Sequence, residues 1–286
     1  DEGVPPPAGT TEIIAWMLRQ PLDSDPGTAY AYSNFGYCLL GRLLEGATGL
    51  DYGEVIAREI FAPLGIRQMR LGRTLRPVRG EVRYHTIGES TGPAVRGRIG
   101  EPVPLPYGAW NLEALDAVGG WVASAVDLVR FASALTERES SPLLCSNSWQ
   151  EMLAPPPPPV ARTDDGALAD VYYACGWNVR RVGSAEERRN FWHLGALAGT
   201  STLLVRRHDG LTWAALFNQR DAVSGGALAT KIDPLVHRAA DAVSDWPDHD
   251  LFAHYLHRQR RAEKISQGGG SVSRDLVTPV TRISTQ

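Results

Sequence analysis

The chain has 286 residues, 43% hydrophobic and 21% charged, an ordinary globular composition with length for one large domain or two smaller ones. Its 29 basic and 32 acidic residues are dispersed and leave a formal charge of -3, which excludes the basic footprint of a nucleic-acid binder. No apolar run approaches the roughly 18 residues of a membrane span, so the partner expected is a small molecule or a peptide. Cys38, Cys145 and Cys175 are widely spaced, without a Cys-x-x-Cys pair, and are expected to be buried free thiols.

In chain order, Thr10-Thr11-Glu12 starts a helix whose apolar positions are Ile13, Ile14, Trp16, Met17 and Leu18, and Pro21 ends it. A loop with Asp25-Pro26-Gly27 then delivers Tyr32-Ser33-Asn34 to a second helix carrying Phe35, Leu39, Leu40, Leu43, Leu44 and Ala47, closed by Gly49. Asp51-Tyr52-Gly53-Glu54 has the spacing of a capping box, and Val55, Ile56 and Ile60 carry a third helix to Ala62-Pro63-Leu64-Gly65. Residues 70–118 hold no sustained period, are rich in Gly, Pro and Arg, and are expected to form a long insertion with short strands that contacts substrate.

Order returns at Gly119-Gly120-Trp121, and Ser124 with Asp127 caps a helix with Leu128, Phe131, Ala132 and Leu135 on one side. Five prolines, Pro155–Pro159, read as a stiff spacer. Strands are expected at 172–180, 191–195, 201–207 and 211–218, the last two joined by a hairpin at Asp209-Gly210. An Ala- and Leu-rich helix over 226–243 would cover one face of that sheet. The division that follows is a mostly helical region at 1–154 with the 70–118 insertion, a linker at 155–170, a sheet region at 171–245, and a tail at 246–286 made of a short basic helix and a flexible end.

Taken together, Pro26-Gly27, Tyr32-Ser33-Asn34-Phe35-Gly36-Tyr37, Leu40-Gly41, Thr48-Gly49, Pro63-Leu64-Gly65, Gly119-Gly120-Trp121, Ser124, Asp127-Leu128, Gly176-Trp177 and His193-Leu194-Gly195 resemble, in order, the class C β-lactamase, DD-peptidase and esterase family of serine hydrolases. The resemblance covers about three quarters of the chain. It implies an α/β (α+β) fold of the β-lactamase and transpeptidase type, an antiparallel sheet flanked by helices beside a mostly helical region. It also implies serine acyl transfer without a cofactor or metal. Tyr32 would accept and return a proton, Asn34 would meet a substrate carbonyl, His193 would occupy the third motif, Gly195 would let substrate approach the strand, and the Ala196 N–H would share the oxyanion. A phenol with its ordinary pKa of about 10 acts as a base near neutrality only if cations lower that value.

One element of the family pattern is absent. Such enzymes draw the nucleophile from Ser-x-x-Lys, but the lysines here are Lys231 and Lys264, and the residues three positions before them are Leu228 and Arg261. That motif precedes the tyrosine motif in the family, and 31 residues precede Tyr32 here. The expectation is therefore that Asp1 begins inside the protein, with the N-terminal part of the fold missing, one sheet edge unpaired and the chain inactive alone. The rival is a homologue that has lost catalysis and keeps the cleft for binding. His249, His254 and His257 lack nearby carboxylates at ligand spacing and are read as a solvated helix face rather than a metal site.

Overall fold

The computed structural model describes residues 3–136, 141–183, 188–252, Tyr255 and the backbone of 281–283. The first part is helical: α1 (Thr10–Met17), α2 (Asn34–Thr48) and α3 (Tyr52–Ile56), the last continuing through a π-helical turn at Ala57–Phe61 into α4 (Ala62–Leu64). Ser33 caps α2, its Oγ accepting from the Gly36 N–H at 2.9 Å. Asp51 is the N-cap of α3, yet its side chain makes no capping bond, so the capping box read from the sequence is realised in position only.

Residues 70–118 hold β1 (Arg70–Leu71), β2 (Thr91–Pro93), β3 (Pro102–Pro104), a 3-10 turn at Leu112–Leu115 and most of α5 (Asp116–Gly119). This is the irregular segment with short strands that the composition suggested. Its lower end is tied down by Glu113, whose carboxylate accepts from Thr74 and pairs with Arg96 at 3.2 Å. These bonds hold the Glu113 carboxyl below its ordinary range against the opposing effect of burial.

After β4 (Trp121–Ala123) come α6 (Ala125–Ala134), capped by Ser124 Oγ on the Asp127 N–H at 3.1 Å, and α7 (Ser146–Met152), a short helix without a sequence signal. The main sheet is five-stranded, antiparallel throughout, and runs in chain order: β5 (Val171–Tyr173), β6 (Asn178–Arg181), β7 (Arg189–Leu197), β8 (Thr200–Arg206), β9 (Thr212–Phe217). α8 (Leu228–Asp241) follows, and β10 (Thr281–Ile283) pairs with β4, which also pairs with β1. The rest of the expected basic helix and tail, with His254 and His257, lies outside the described residues.

The strand expected over 172–180 is a hairpin instead. Ala174 donates to the Trp177 carbonyl at 2.8 Å, and Gly176, at φ +81, turns the chain between β5 and β6. The β8–β9 hairpin stands where Asp209-Gly210 placed it. β8 is the core strand: Thr200 through Val205 are all buried. Leu204 faces Leu128, Ala132, Leu153, Trp177 and Phe191, while Leu203 and Val205 face Ala229 of α8. Side chains that alternate between two apolar layers are what a strand covered on both faces requires. Residues on both sides of Pro155–Pro159 share the first layer, Leu153 and Ala161 with Tyr172 and Phe191. All three cysteines are free, but only Cys38 is buried; Cys145 and Cys175 are exposed, at the start of α7 and in the β5–β6 turn. Both sit where the chain reverses or enters a short surface helix, and apolar character alone did not reveal that.

Candidate active site

Asp25-Pro26-Gly27-Thr28 forms a tight turn, with Thr28 N–H donating to the Asp25 carbonyl at 3.1 Å and Gly27 at φ +78, the combination of Pro then Gly that a type II turn selects. The loop after it carries Tyr30 and Tyr32 to the mouth of the β5–β6 hairpin, and Asn34 sits exposed as the first residue of α2.

There the rings form a cluster. Tyr32 packs edge-on against Tyr173 at 5.6 Å between centroids and lies 6.3 Å from the His193 ring. Tyr173 also contacts Tyr30 at 5.8 Å, and its hydroxyl lies 2.9 Å from His193 Nε2. The other ring nitrogen, Nδ1, is 2.5 Å from the Leu194 carbonyl oxygen. The structure thus brings Tyr32 and His193 together from opposite ends of the sequence and adds Tyr173, a residue the sequence reading passed over.

β7 presents an open edge at this point. β6 pairs with β7 only from Arg189 to Trp192, because the chain turns away at Gly176. The hairpin to β8 closes on Leu197 and Thr200, and Val182 bonds Arg188 at the far end. Alternation along an antiparallel strand then directs the main-chain groups of His193, Gly195 and Leu197 toward β8 and those of Leu194 and Ala196 toward the edge that β6 leaves uncovered. The Ala196 N–H therefore points away from β8, at a position where Gly195 and Ala196 are both buried.

The 70–118 segment reaches the same end of the sheet. His85 N–H donates to the Asn218 carbonyl at 2.8 Å, and Asn218 Nδ2 donates to the Arg83 carbonyl at 2.8 Å. Gly199, in the β7–β8 turn, lies so close that a Cβ there would fall 2.8 Å from Tyr84 and from Pro106. On the inner face of the sheet an apolar cavity of about 410 Å³ is lined by His193 and Leu194 together with Trp121, Phe131, Trp177 and Leu204.

Burial holds the His193 imidazole below its ordinary range, against the smaller opposing effect of its bond to Leu194, so it is neutral at pH 7. Burial likewise raises the Tyr173 phenol, with the neighbouring phenols Tyr37, Tyr32 and Tyr30 adding to the effect. Burial raises Tyr37 as well, offset in part by its hydrogen bond with Tyr173. Neither ring packed on Tyr32 carries a positive charge at pH 7, so the cation that would lower a phenol for base chemistry is supplied by neither His193 nor Tyr173.

The sequence also contains Gly88-Glu89-Ser90-Thr91-Gly92, the spelling of a nucleophile elbow. Its setting excludes that role: the pentapeptide runs directly into β2 with no helix after it, whereas the elbow is a strand–turn–helix device. No group of three or more His, Cys, Asp or Glu at metal-binding distance occurs among the described residues. No helix among them is long and apolar enough to cross a membrane.

The beta-lactamase family profile matches residues 2–236. The chain belongs to the beta-lactamase family. Among curated relatives it is 27% identical over 206 residues to penicillin-binding protein 4* of Bacillus subtilis, covering 69% of this chain and 42% of that protein. It is 27% identical over 199 residues to the unguisins hydrolase ungD' of Aspergillus campestris, covering 68% of this chain and 34% of that protein. The chain thus spans less than half the length of these two relatives. Among solved structures, D-amino acid amidase from Ochrobactrum anthropi SV3, in complex with L-phenylalanine amide, superposes with a TM-score of 0.61 at 22% identity, over 82% of this chain and 63% of the amidase. The expected β-lactamase and transpeptidase fold, an antiparallel sheet flanked by helices, is the fold observed.

Proposed function

We propose that the protein is a serine-dependent acyl hydrolase acting on an amide or ester, of D-amino-acid peptidase, esterase or β-lactam type, and that the 286 residues supply the tyrosine and third-motif parts of the site but not the Ser-x-x-Lys serine and its cation. The observation that carries this reading is the meeting of Tyr32 and His193 beside the stretch of β7 that β6 leaves unpaired. In the proposed reaction a serine attacks the substrate carbonyl. Tyr32 takes the serine proton and passes it to the leaving group, in concert with a cation brought by the same element as the serine. Asn34 donates to the substrate carbonyl group outside the scissile bond. The Ala196 N–H, pointing away from β8, faces the developing oxyanion, where one donor is typically worth about 3 kcal/mol. Neutral His193 orients the substrate through its ring face and contributes no charge. The segment around Tyr84 and Pro106, docked at the β7–β8 turn, borders the substrate-binding side.

Two relatives named as a penicillin-binding protein and an unguisins hydrolase, with a structural neighbour named as a D-amino acid amidase, support acyl transfer and leave the acyl group open. The test is hydrolysis of a panel of D-amino-acid amides, short esters and a chromogenic β-lactam by the protein joined to an upstream segment that encodes Ser-x-x-Lys. Tyr32→Phe in that protein is expected to lower kcat by about 10²–10⁴, and an unchanged kcat would remove Tyr32 from the mechanism. The second reading, a binding protein that retains the cleft, is favoured by one observation, the lack of Ser-x-x-Lys in these residues. It predicts stoichiometric binding of a peptide or acyl amide without turnover, and no Ser-x-x-Lys in the upstream coding sequence.

A further inference from the structure

We propose that Tyr173 is a positioning residue: its hydroxyl donates to His193 Nε2 while the Leu194 carbonyl holds Nδ1–H, fixing the imidazole as the Nδ1–H tautomer with its ring against Tyr32. The argument is one of donors and acceptors. The Leu194 carbonyl oxygen, 2.5 Å from Nδ1, can only accept, so Nδ1 carries the proton. A neutral imidazole has one N–H, so Nε2 is an acceptor, and the Tyr173 hydroxyl 2.9 Å away must be its donor. The opposite tautomer would set the Nδ1 lone pair against the carbonyl lone pairs at 2.5 Å.

Tyr173 is itself held. It ends β5 opposite Asn178, across the turn that Gly176 makes, and a Cβ at Gly176 would approach the Tyr37 hydroxyl to 3.3 Å. Tyr37, in α2, hydrogen-bonds the Tyr173 hydroxyl. Two bonds then run in one direction, Tyr173 to His193 and His193 to the Leu194 carbonyl of β7. Among the described residues, the phenols facing the imidazole are those of Tyr173 and Tyr32, and those facing Tyr173 are Tyr30, Tyr32 and Tyr37. The positioning role rests on the proposed hydrolase reading, but the tautomer does not, and it is measured without substrate.

The experiment is a long-range ¹H–¹⁵N spectrum of the full chain with ¹⁵N-labelled histidine, with the His193 signals assigned by their loss in His193→Gln. At pH 7.5 Nδ1 is expected at the protonated position and Nε2 at the unprotonated one. In Tyr173→Phe, which keeps the ring and removes the hydroxyl, the Nε2 signal is expected to shift and the His193 titration to move to higher pH, because a donor that favours the neutral ring is gone. An Nε2–H tautomer or a doubly protonated ring in the unaltered chain would overturn the proposal. So would an unchanged His193 spectrum and titration in Tyr173→Phe. Should that variant fail to fold, the tautomer of the unaltered chain still decides. In a hydrolytically active longer protein, a loss in kcat without a matching rise in KM separates positioning from substrate binding. Absence of hydrolysis together with the Nδ1–H tautomer would reject the functional reading and leave the bonding pattern standing.

Discussion

Tyr32 is only as well placed as α2, and α2 rests on a close seam with α5 centred on Gly41. A Cβ built on Gly41 would lie 2.5 Å from the Ala117 Cβ. Carbon pairs are at their optimum at about 3.5–4.0 Å, so Gly41→Ala forces the two helices apart by roughly 1 Å. Beside this contact Arg42 bonds Asp116 at 2.6 Å, and the same displacement stretches that ion pair. Overpacking of this kind costs about 1–3 kcal/mol, against a gain of about 1 kcal/mol from replacing glycine inside a helix. Gly41→Ala should therefore lower stability by about 1 kcal/mol. Ala117→Gly removes the opposing methyl, so the double variant should recover, with a coupling energy of about 1–2 kcal/mol between the two sites. Urea titration followed by tryptophan fluorescence on the parent, the two single variants and the double variant measures that coupling. Strict additivity, or a Gly41→Ala chain more stable than the parent, would refute the close seam.

The buried core and the buried histidine make two further predictions. Leu153, 1% exposed, packs in the first apolar layer, and Leu153→Ala should cost about 2–5 kcal/mol in the same titration; a loss under 1 kcal/mol would mean the layer collapses around the gap. Because the folded-state pKa of His193 is depressed, the unfolded chain takes up the proton first. Its stability contribution is fully present above the unfolded value of about 6.5 and is lost as pH falls through it. The melting temperature should therefore fall more between pH 7.5 and pH 5.5 in the parent than in His193→Gln, and parallel curves for the two would count against a buried neutral imidazole.

The sequence made legible those parts of the fold that depend on local chemistry. Asp209-Gly210 specifies its hairpin through backbone preference, Ser33 and Ser124 cap their helices through their own hydroxyls, and the 70–118 segment announces its irregularity through Gly and Pro. The hairpin at Gly176 is hidden because Tyr172, Tyr173, Trp177 and Val179 all suit strands, so residues on both sides of the turn read as one strand. α7 has seven residues and no buried side chain, too little periodic signal to separate it from a loop. Tyr173 escaped notice for a different reason: its role depends on the approach of β7, α2 and the Tyr30–Tyr32 loop, none of which is near it in sequence. His193 was found through the glycine two positions after it, but its neutrality follows from burial, which a motif does not encode.

Intact mass of the 286-residue chain after incubation with a fluorescent penicillin and, separately, with a fluorophosphonate tests the division of the site most directly. An unchanged mass is predicted for this chain, and one covalent adduct on the added serine for the chain joined to a segment that encodes Ser-x-x-Lys. A stoichiometric adduct on the 286 residues themselves would contradict the account, since it would mean that they already contain the nucleophile.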